Sequence, residues 1–125
     1  MSPLKRDGSE SRCHAEVWYA WLDGAVVMTV ASERWKAGAI RRGLERARIW
    51  VGDEGRLKGL NARSQAFRKA PSFEARGALL QDAALLERLL TEYGRKYPEE
   101  IGAWRDKMRA GHADGSRVLI RYSPV

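Results

Sequence analysis

Residues 25–52 carry the pattern that decides the fold, and they read AVVMTV (25–30), ASERWK (31–36), AGAIRRGLER (37–46) and ARIWVG (47–52). The first and last blocks are apolar and rich in β-branched residues, which is typical of strands. Ser32 stands where a helix N-cap is expected, because its hydroxyl can accept a hydrogen bond from a backbone N–H of the first turn. The stretch therefore predicts a strand, a helix from residue 32 or 33 to 46, and a second strand over 48–51.

Two cations, Arg34 and Lys36, fall in the first turn of that predicted helix. Cations are unfavourable there because they face the positive end of the helix dipole, and a bound anion would relieve the conflict. The same residues also fit a solvated basic helix face. From the residues alone, both interpretations stay open.

Hydrophobic periodicity predicts three more strands and two more helices outside this stretch. Asp23-Gly24 is typical of a hairpin turn, so the strand before it pairs with the strand over 25–30. Asp82 is the expected N-cap of one helix, and Pro98 ends it. These additional elements are strands over 16–22, 72–80 and 117–122 and helices over 82–97 and 99–110.

The order of these elements predicts a mainly β fold, an antiparallel barrel of about six strands with two or three helices packed outside it. Residues 1–14 are predicted to be a flexible tail, and residues 15–125 to form one domain.

Three further predictions concern a short segment and two single residues. Residues 56–71 show no clean period and are predicted to be irregular. Gly77, inside a predicted strand, indicates a bulge or a close backbone approach. His112 is predicted to lie in a solvated turn over 111–115.

Composition and charge limit the kinds of protein that this sequence could be. The chain has 125 residues, a net charge of +7 and a sequence pI near 10.0, which favour an anionic partner: nucleic acid, a phosphorylated cofactor or an acidic surface. No segment approaches the ~20 apolar residues of a membrane helix, and no secretory signal is recognisable. With a single cysteine, Cys13, these observations predict a cytoplasmic protein without membrane contact.

Motifs of self-sufficient catalysis are absent from the sequence. It has no GxGxxG fingerprint and no Walker loop. Two histidines and one cysteine cannot supply the usual four ligands of a zinc site, so no metal site is predicted. No catalytic residue is predicted either, and an enzyme of this sequence would depend on a bound cofactor for its chemistry.

Thr29, Ser32, Arg34 and Lys36, set between two strands, resemble the cofactor-phosphate segment of the pyridoxamine-phosphate-oxidase-like, FMN-binding split-barrel family. In that family a strand ends in Thr, a Ser with Arg or Lys follows, then a helix, and an Arg precedes the next strand. The segment 73–98 and the terminal strand followed by Pro124 resemble the later half of the family. The resemblance covers residues 15–125 and is that of a shortened member, since the family usually has a further strand and helix at its start.

The resemblance implies a split β-barrel that binds flavin mononucleotide (FMN), or alternatively a deazaflavin, at a homodimer interface and transfers hydride to a small-molecule substrate. Ser32, Arg34 and Lys36 would hold the phosphate, and the backbone of residues 28–31 would lie along the ring. The complete set of implied cofactor-binding residues is Trp18, Met28, Thr29, Val30, Ala31, Ser32, Arg34 and Lys36.

Other interpretations stay open beside it. Trp18 or Tyr19 either borders the flat cofactor or packs in the core, as large rings usually do. The high pI and five tryptophans also fit a basic nucleic-acid-binding module, although Trp18, Trp21 and Trp50 fall in predicted strands. A split barrel that only binds a ligand such as haem, without catalysis, is a further alternative.

Overall fold

The structure is a computed structural model that describes residues 1–10, 17–51 and 70–125. Six strands form one antiparallel sheet in the order β1-β4-β5-β6-β3-β2, and three helices flank it. The strands are β1 (Ser2–Pro3), β2 (Ala20–Leu22), β3 (Ala25–Ala31), β4 (Arg46–Trp50), β5 (Ser72–Leu80) and β6 (Arg117–Pro124); the helices are α1 (Trp35–Arg41), α2 (Ala83–Lys96) and α3 (Ile101–Asp114). The predicted mainly β class is confirmed, and within the described residues the sheet is open, with β1 and β2 as its edges.

Alternation along the strands gives the sheet two apolar faces. One face, here called the helix face, packs Val27 and Leu119 against the leucines and Tyr93 of α2 and against α3. The other, here called the inner face, buries Val26, Met28 and Ile120 together with side chains of α1. Both faces are therefore covered, which explains the nearly continuous apolar runs of β3 and β6.

The sheet curls around the inner face. Trp21 lies on the edge strand β2, and Phe73 lies on β5, with β3 and β6 between them in the sheet. Their ring centroids are nevertheless only 5.4 Å apart. This contact brings distant strands together over the inner face.

The hairpin between β2 and β3 forms as the sequence predicted. Asp23 and Gly24 have φ of 55° and 79°, the left-handed conformation that a two-residue type I′ turn requires at both positions. Leu22 pairs with Ala25 directly beside the turn. The first strand is shorter than predicted, however, because its described ladder with β3 ends at Ala20.

The flexible tail predicted over residues 1–14 is wrong for residues 1–10. Ser2 pairs with Arg48 and Pro3 with Ala47, which adds a short strand to the edge of the sheet. Met1 and Leu4 are buried, and Met1 packs in the apolar cluster of the inner face. Residues 11–14 lie outside the described residues, as does most of the predicted irregular segment 56–71.

Helix bounds differ from prediction at two glycines. Gly43, with φ of 87°, follows α1, which ends before the predicted residue 46. α3 instead continues to Asp114, and Gly115 with φ of 85° ends it. His112 is consequently buried in the last turn of α3, and its prediction as a solvated turn residue is wrong.

The prediction for β5 is confirmed, including the role of Gly77. A Cβ at Gly77 would lie 2.6 Å from Cε1 of Tyr122 on the neighbouring strand, so only glycine allows this close approach. Asp82 caps α2 as predicted, accepting a 3.0 Å hydrogen bond from the Leu85 N–H. In the described part of the chain, no helix has the length and apolar character needed to span a bilayer.

Candidate anion-binding site

The predicted phosphate segment lies at the end of the sheet where β3 stops and β6 begins. Ala31, the last residue of β3, pairs with Arg117, the first residue of β6. Just beyond this pair, the Ser32 N–H donates to the Ser116 carbonyl oxygen at 2.8 Å. The turn after β3 and the turn before β6 are therefore joined.

Ser32 strengthens that junction and does not cap the helix. Its Oγ donates a 2.7 Å hydrogen bond to the Gly115 carbonyl oxygen, and its own carbonyl oxygen accepts a hydrogen bond from the Arg41 guanidinium. The N-cap of α1 is Arg34, which makes no side-chain capping bond. The prediction of Ser32 as N-cap is wrong because the chain remains bonded to Ser116 and turns again before α1 begins.

Arg34 and Lys36 lie near each other, and a third cation, Arg117, is close enough for its charge to act on Lys36. Lys36 is half-buried, and its Nζ lies 4.8 Å from the centroid of the Trp35 ring. Burial lowers the pKa of the Lys36 ammonium, and the positive charges of Arg34 and Arg117 lower that pKa further. We call Arg34, Lys36 and Arg117 the cation cluster.

Arg117 is the member that sequence reasoning missed. Its Nη2 donates to the Thr29 carbonyl oxygen at 2.9 Å, and its Nε donates to Thr29 Oγ1 at 3.2 Å. The guanidinium is half-buried, and burial lowers its pKa. No local pattern could reveal this residue, because its place at the site follows from the register between β3 and β6.

The cation cluster has no neutralising partner in the described residues. The ion pairs between described residues all involve cations outside the cluster, which are Arg46, Arg76, Arg88, Arg95 and Arg109. Thr29 contributes only uncharged oxygen atoms to Arg117. Lys36 and Arg117 are half-buried, whereas Arg34 is exposed. Half-buried cations without carboxylate partners favour an anionic ligand.

The other predicted cofactor contacts are distributed between the two faces of the sheet. Met28 and Val30 are buried in the inner face, and Thr29 is buried beside Arg117. Trp18 packs against the helix face, where its ring stacks on Tyr97 with centroids 4.4 Å apart. That stacking favours the core-packing interpretation of Trp18 over a cofactor contact.

A concave region of the described chain lies away from the cation cluster. A cleft of about 200 Å³ lies at the C-terminal end of α1; its lining is Leu4, Lys5, Arg6, Gly43, Leu44, Glu45, Arg46 and Arg76. Two of its arginines already face carboxylates, since Arg46 lies 3.4 Å from Glu74 and Arg76 lies 3.9 Å from Glu45. In residues 1–10, 17–51 and 70–125, no group of three or more His, Cys, Asp or Glu side chains could hold a metal ion.

No protein-family model and no curated protein matches the chain. Among solved structures, the chain is similar to the conserved hypothetical protein Rv2991 from Mycobacterium tuberculosis, with a TM-score of 0.57 and 18% sequence identity. The likeness covers 98% of this chain and 69% of that one. At this identity it concerns the fold alone.

Proposed function

We propose that this protein is a split β-barrel of the pyridoxamine-phosphate-oxidase-like class, which binds FMN, or alternatively a deazaflavin, and acts as an oxidoreductase on a small-molecule substrate. The cation cluster is the observation that carries the proposal. Arg34 and Arg117 lie close enough to Lys36 for their charges to lower its pKa, and the three cations have no carboxylate partner in the described part of the chain.

A phosphate group fits the cation cluster in charge and in chemistry. A phosphomonoester carries about −1.5 to −2 charge at neutral pH and presents strong acceptor oxygens. Arg34, Lys36 and Arg117 would each donate charge-assisted hydrogen bonds to it. An anion would also raise the pKa of Lys36 towards its ordinary value, because it would offset the two like charges nearby. Ser32 takes a scaffold role in this proposal, since its hydroxyl proton is already donated to Gly115.

The flavin ring has a candidate position along residues 28–31. The β2–β3 ladder ends at the Ala20–Val27 pair, so this part of β3 continues beyond β2. Met28, Val30 and Ala31 pair with residues of β6 on one side, and the Thr29 carbonyl oxygen already accepts from Arg117. In the proposal the ring would therefore lie against residues 28–31 along the edge of β3 that faces away from β6. When bound, the flavin would supply the hydride-transfer chemistry, and the polypeptide would bind and orient it.

The split-barrel assignment draws support from the curl of the sheet. The Trp21–Phe73 contact links the edge strand β2 to β5, and Val26, Ile49 and Ile120 from three different strands share one apolar cluster inside the curl. A sheet curled around a filled interior is the arrangement expected of a small barrel.

A homodimer belongs to the same proposal. Trp21 lies on an edge strand and leaves 47% of its surface exposed. Large exposed rings on an open sheet edge are typical of surfaces that pair with another chain. A two-fold interface through β2 would cover Trp21 in both copies.

Titration of FMN and riboflavin into the wild type and Lys36→Ala tests the cofactor assignment, because the two ligands differ only by the phosphate. Loss of one charge-assisted contact should weaken FMN binding about 10- to 150-fold and leave riboflavin binding unchanged. Lys107→Ala is the charge-matched control, since its ammonium lies 5.3 Å from the Trp104 ring centroid and outside the cation cluster.

Equal affinity of the wild type for FMN and riboflavin would contradict the phosphate assignment, and so would an equal loss in both lysine variants. The visible absorption spectrum of the purified protein separates a bound flavin from a deazaflavin or a haem. The melting temperature of Lys36→Ala should stay the same or rise slightly, because this half-buried cation beside two like charges opposes folding.

A further inference from the structure

Arg117 reaches the candidate site across a glycine of α3. A Cβ built on Gly111 would lie 2.6 Å from Cγ and 2.8 Å from Cδ of Arg117. Real side chains do not approach so closely, and Gly111 itself is buried. The aliphatic part of Arg117 therefore occupies the space that any larger residue at position 111 would need.

A second glycine in the same helix, Gly102, has open space where Gly111 has a close contact. A Cβ on Gly102 would meet nothing within 4 Å. Glycine inside a helix is about 1 kcal/mol less favourable than alanine, so a helical glycine needs a compensating reason. At Gly111 that reason is the close packing of the Arg117 side chain, whereas Gly102 has no comparable contact in the described residues.

The far end of Arg117 retains capacity for a ligand. Thr29 accepts two hydrogen bonds from the guanidinium, which carries five N–H donors. Among the described residues no carboxylate pairs with the remaining donors. The guanidinium is thus held in place by neutral oxygens, and no carboxylate of the described residues neutralises its charge, which acts on Lys36.

We propose that Arg117 determines specificity for a phosphomonoester at this site, and that Gly111 is the positioning residue that gives Arg117 its path to Thr29. The inference rests on the proposed function for the identity of the ligand. It gives α3 and β6 a role in phosphate recognition, although both elements lie outside the segment 29–36.

The test compares two alanine substitutions in α3. The ratio of riboflavin to FMN dissociation constants reports the phosphate contribution alone. Gly111→Ala should lower this ratio at least about tenfold, as should Arg117→Met, because each removes the guanidinium from its position. Gly102→Ala should leave the ratio unchanged, although it adds the same methyl group to the same helix.

The double variant Gly111→Ala/Arg117→Ala distinguishes positioning from an independent effect, because alanine at position 117 lacks the Cγ and Cδ atoms that meet position 111. If Gly111 acts only through Arg117, the double variant should bind FMN no more weakly than Arg117→Ala alone. An additive loss, or an unchanged ratio in Gly111→Ala, would overturn the inference. Should Gly111→Ala fold poorly, Gly111→Ala/Arg117→Ala should recover the melting temperature, and failure to recover would also overturn it.

Failure of the flavin proposal can be told apart from failure of this inference. If the wild type binds neither FMN nor riboflavin, the flavin proposal fails, and inorganic phosphate becomes the probe in an NMR titration. Phosphate binding that is lost in Gly111→Ala and kept in Gly102→Ala would support the inference. Equal binding by both variants, or none by the wild type, would overturn it.

Discussion

The Tyr93 hydroxyl donates a 2.7 Å hydrogen bond to the Trp18 carbonyl oxygen, which ties α2 to the chain just before β2. Tyr93 is fully buried, and its ring meets Trp18 edge-on with centroids 5.6 Å apart. Tyr93→Phe keeps the ring and removes the hydroxyl, so the carbonyl loses this donor. We expect the free energy of unfolding to fall by about 1–3 kcal/mol, measured by urea denaturation.

Tyr122→Phe is the matched control for that loss. Tyr122 is also buried, but in the described residues its hydroxyl makes no hydrogen bond, and burial is the one influence on its pKa. Its substitution should therefore leave stability unchanged or raise it. If both variants lose equal stability, the Tyr93–Trp18 hydrogen bond is not the cause.

Alkaline pH should destabilise the fold through the same two tyrosines. Burial raises the pKa of both phenols well above the ordinary value of 10.0. Above pH 10 the unfolded chain releases these protons while the folded protein keeps them, so the free energy of unfolding falls as pH rises. Each tyrosine contributes a slope of about 1.4 kcal/mol per pH unit. Urea denaturation above pH 10 should give Tyr122→Phe a shallower slope than the wild type; equal slopes would contradict the prediction.

His112 is a buried polar residue whose replacement should not cost stability. It is 8% exposed, and its Nδ1 has no hydrogen-bond partner in the part of the chain that the structure describes. His112→Leu removes an unsatisfied polar atom, so thermal denaturation should show the same or a higher melting temperature. His112→Asn keeps a polar group there and is the control, expected to melt below His112→Leu. The reverse order would show that the imidazole has a partner.

Trp21 should control self-association. Trp21 and Trp104 have nearly equal exposure, 47% and 44%, but Trp21 lies on the open edge of the sheet and Trp104 on α3. Sedimentation equilibrium should show the wild type and Trp104→Ser at about twice 14.1 kDa, and Trp21→Ser closer to the monomer. A monomeric wild type at high micromolar concentration would refute the dimer.

Much of the fold follows from local patterns in the sequence. Asp23-Gly24 specifies its hairpin because a type I′ turn requires positive φ at both of its central residues, a conformation that Asp and Gly adopt more readily than most residues. The bounds of β5 are those that its apolar run and its flanking residues predict, and Asp82 begins α2 because its carboxylate lies within reach of the Leu85 N–H. In each case the interacting residues are a few positions apart, so a short window of sequence contains both partners.

The candidate site was only partly predictable, because several of its contacts join residues that are far apart in the sequence. Arg34 and Lys36 could be recognised because they are neighbours after a strand, and Ser32 was misassigned because its hydrogen-bond partner, Gly115, lies 83 residues away. Arg117 meets Thr29 across 88 residues, and its path depends on a glycine in a third element. The sequence by itself determined where strands, turns and the basic segment lie, since these depend on backbone preference and side-chain alternation. The tertiary structure decided which cation joins that segment and what Ser32 bonds to, since strand register and helix packing set which distant residues share a contact.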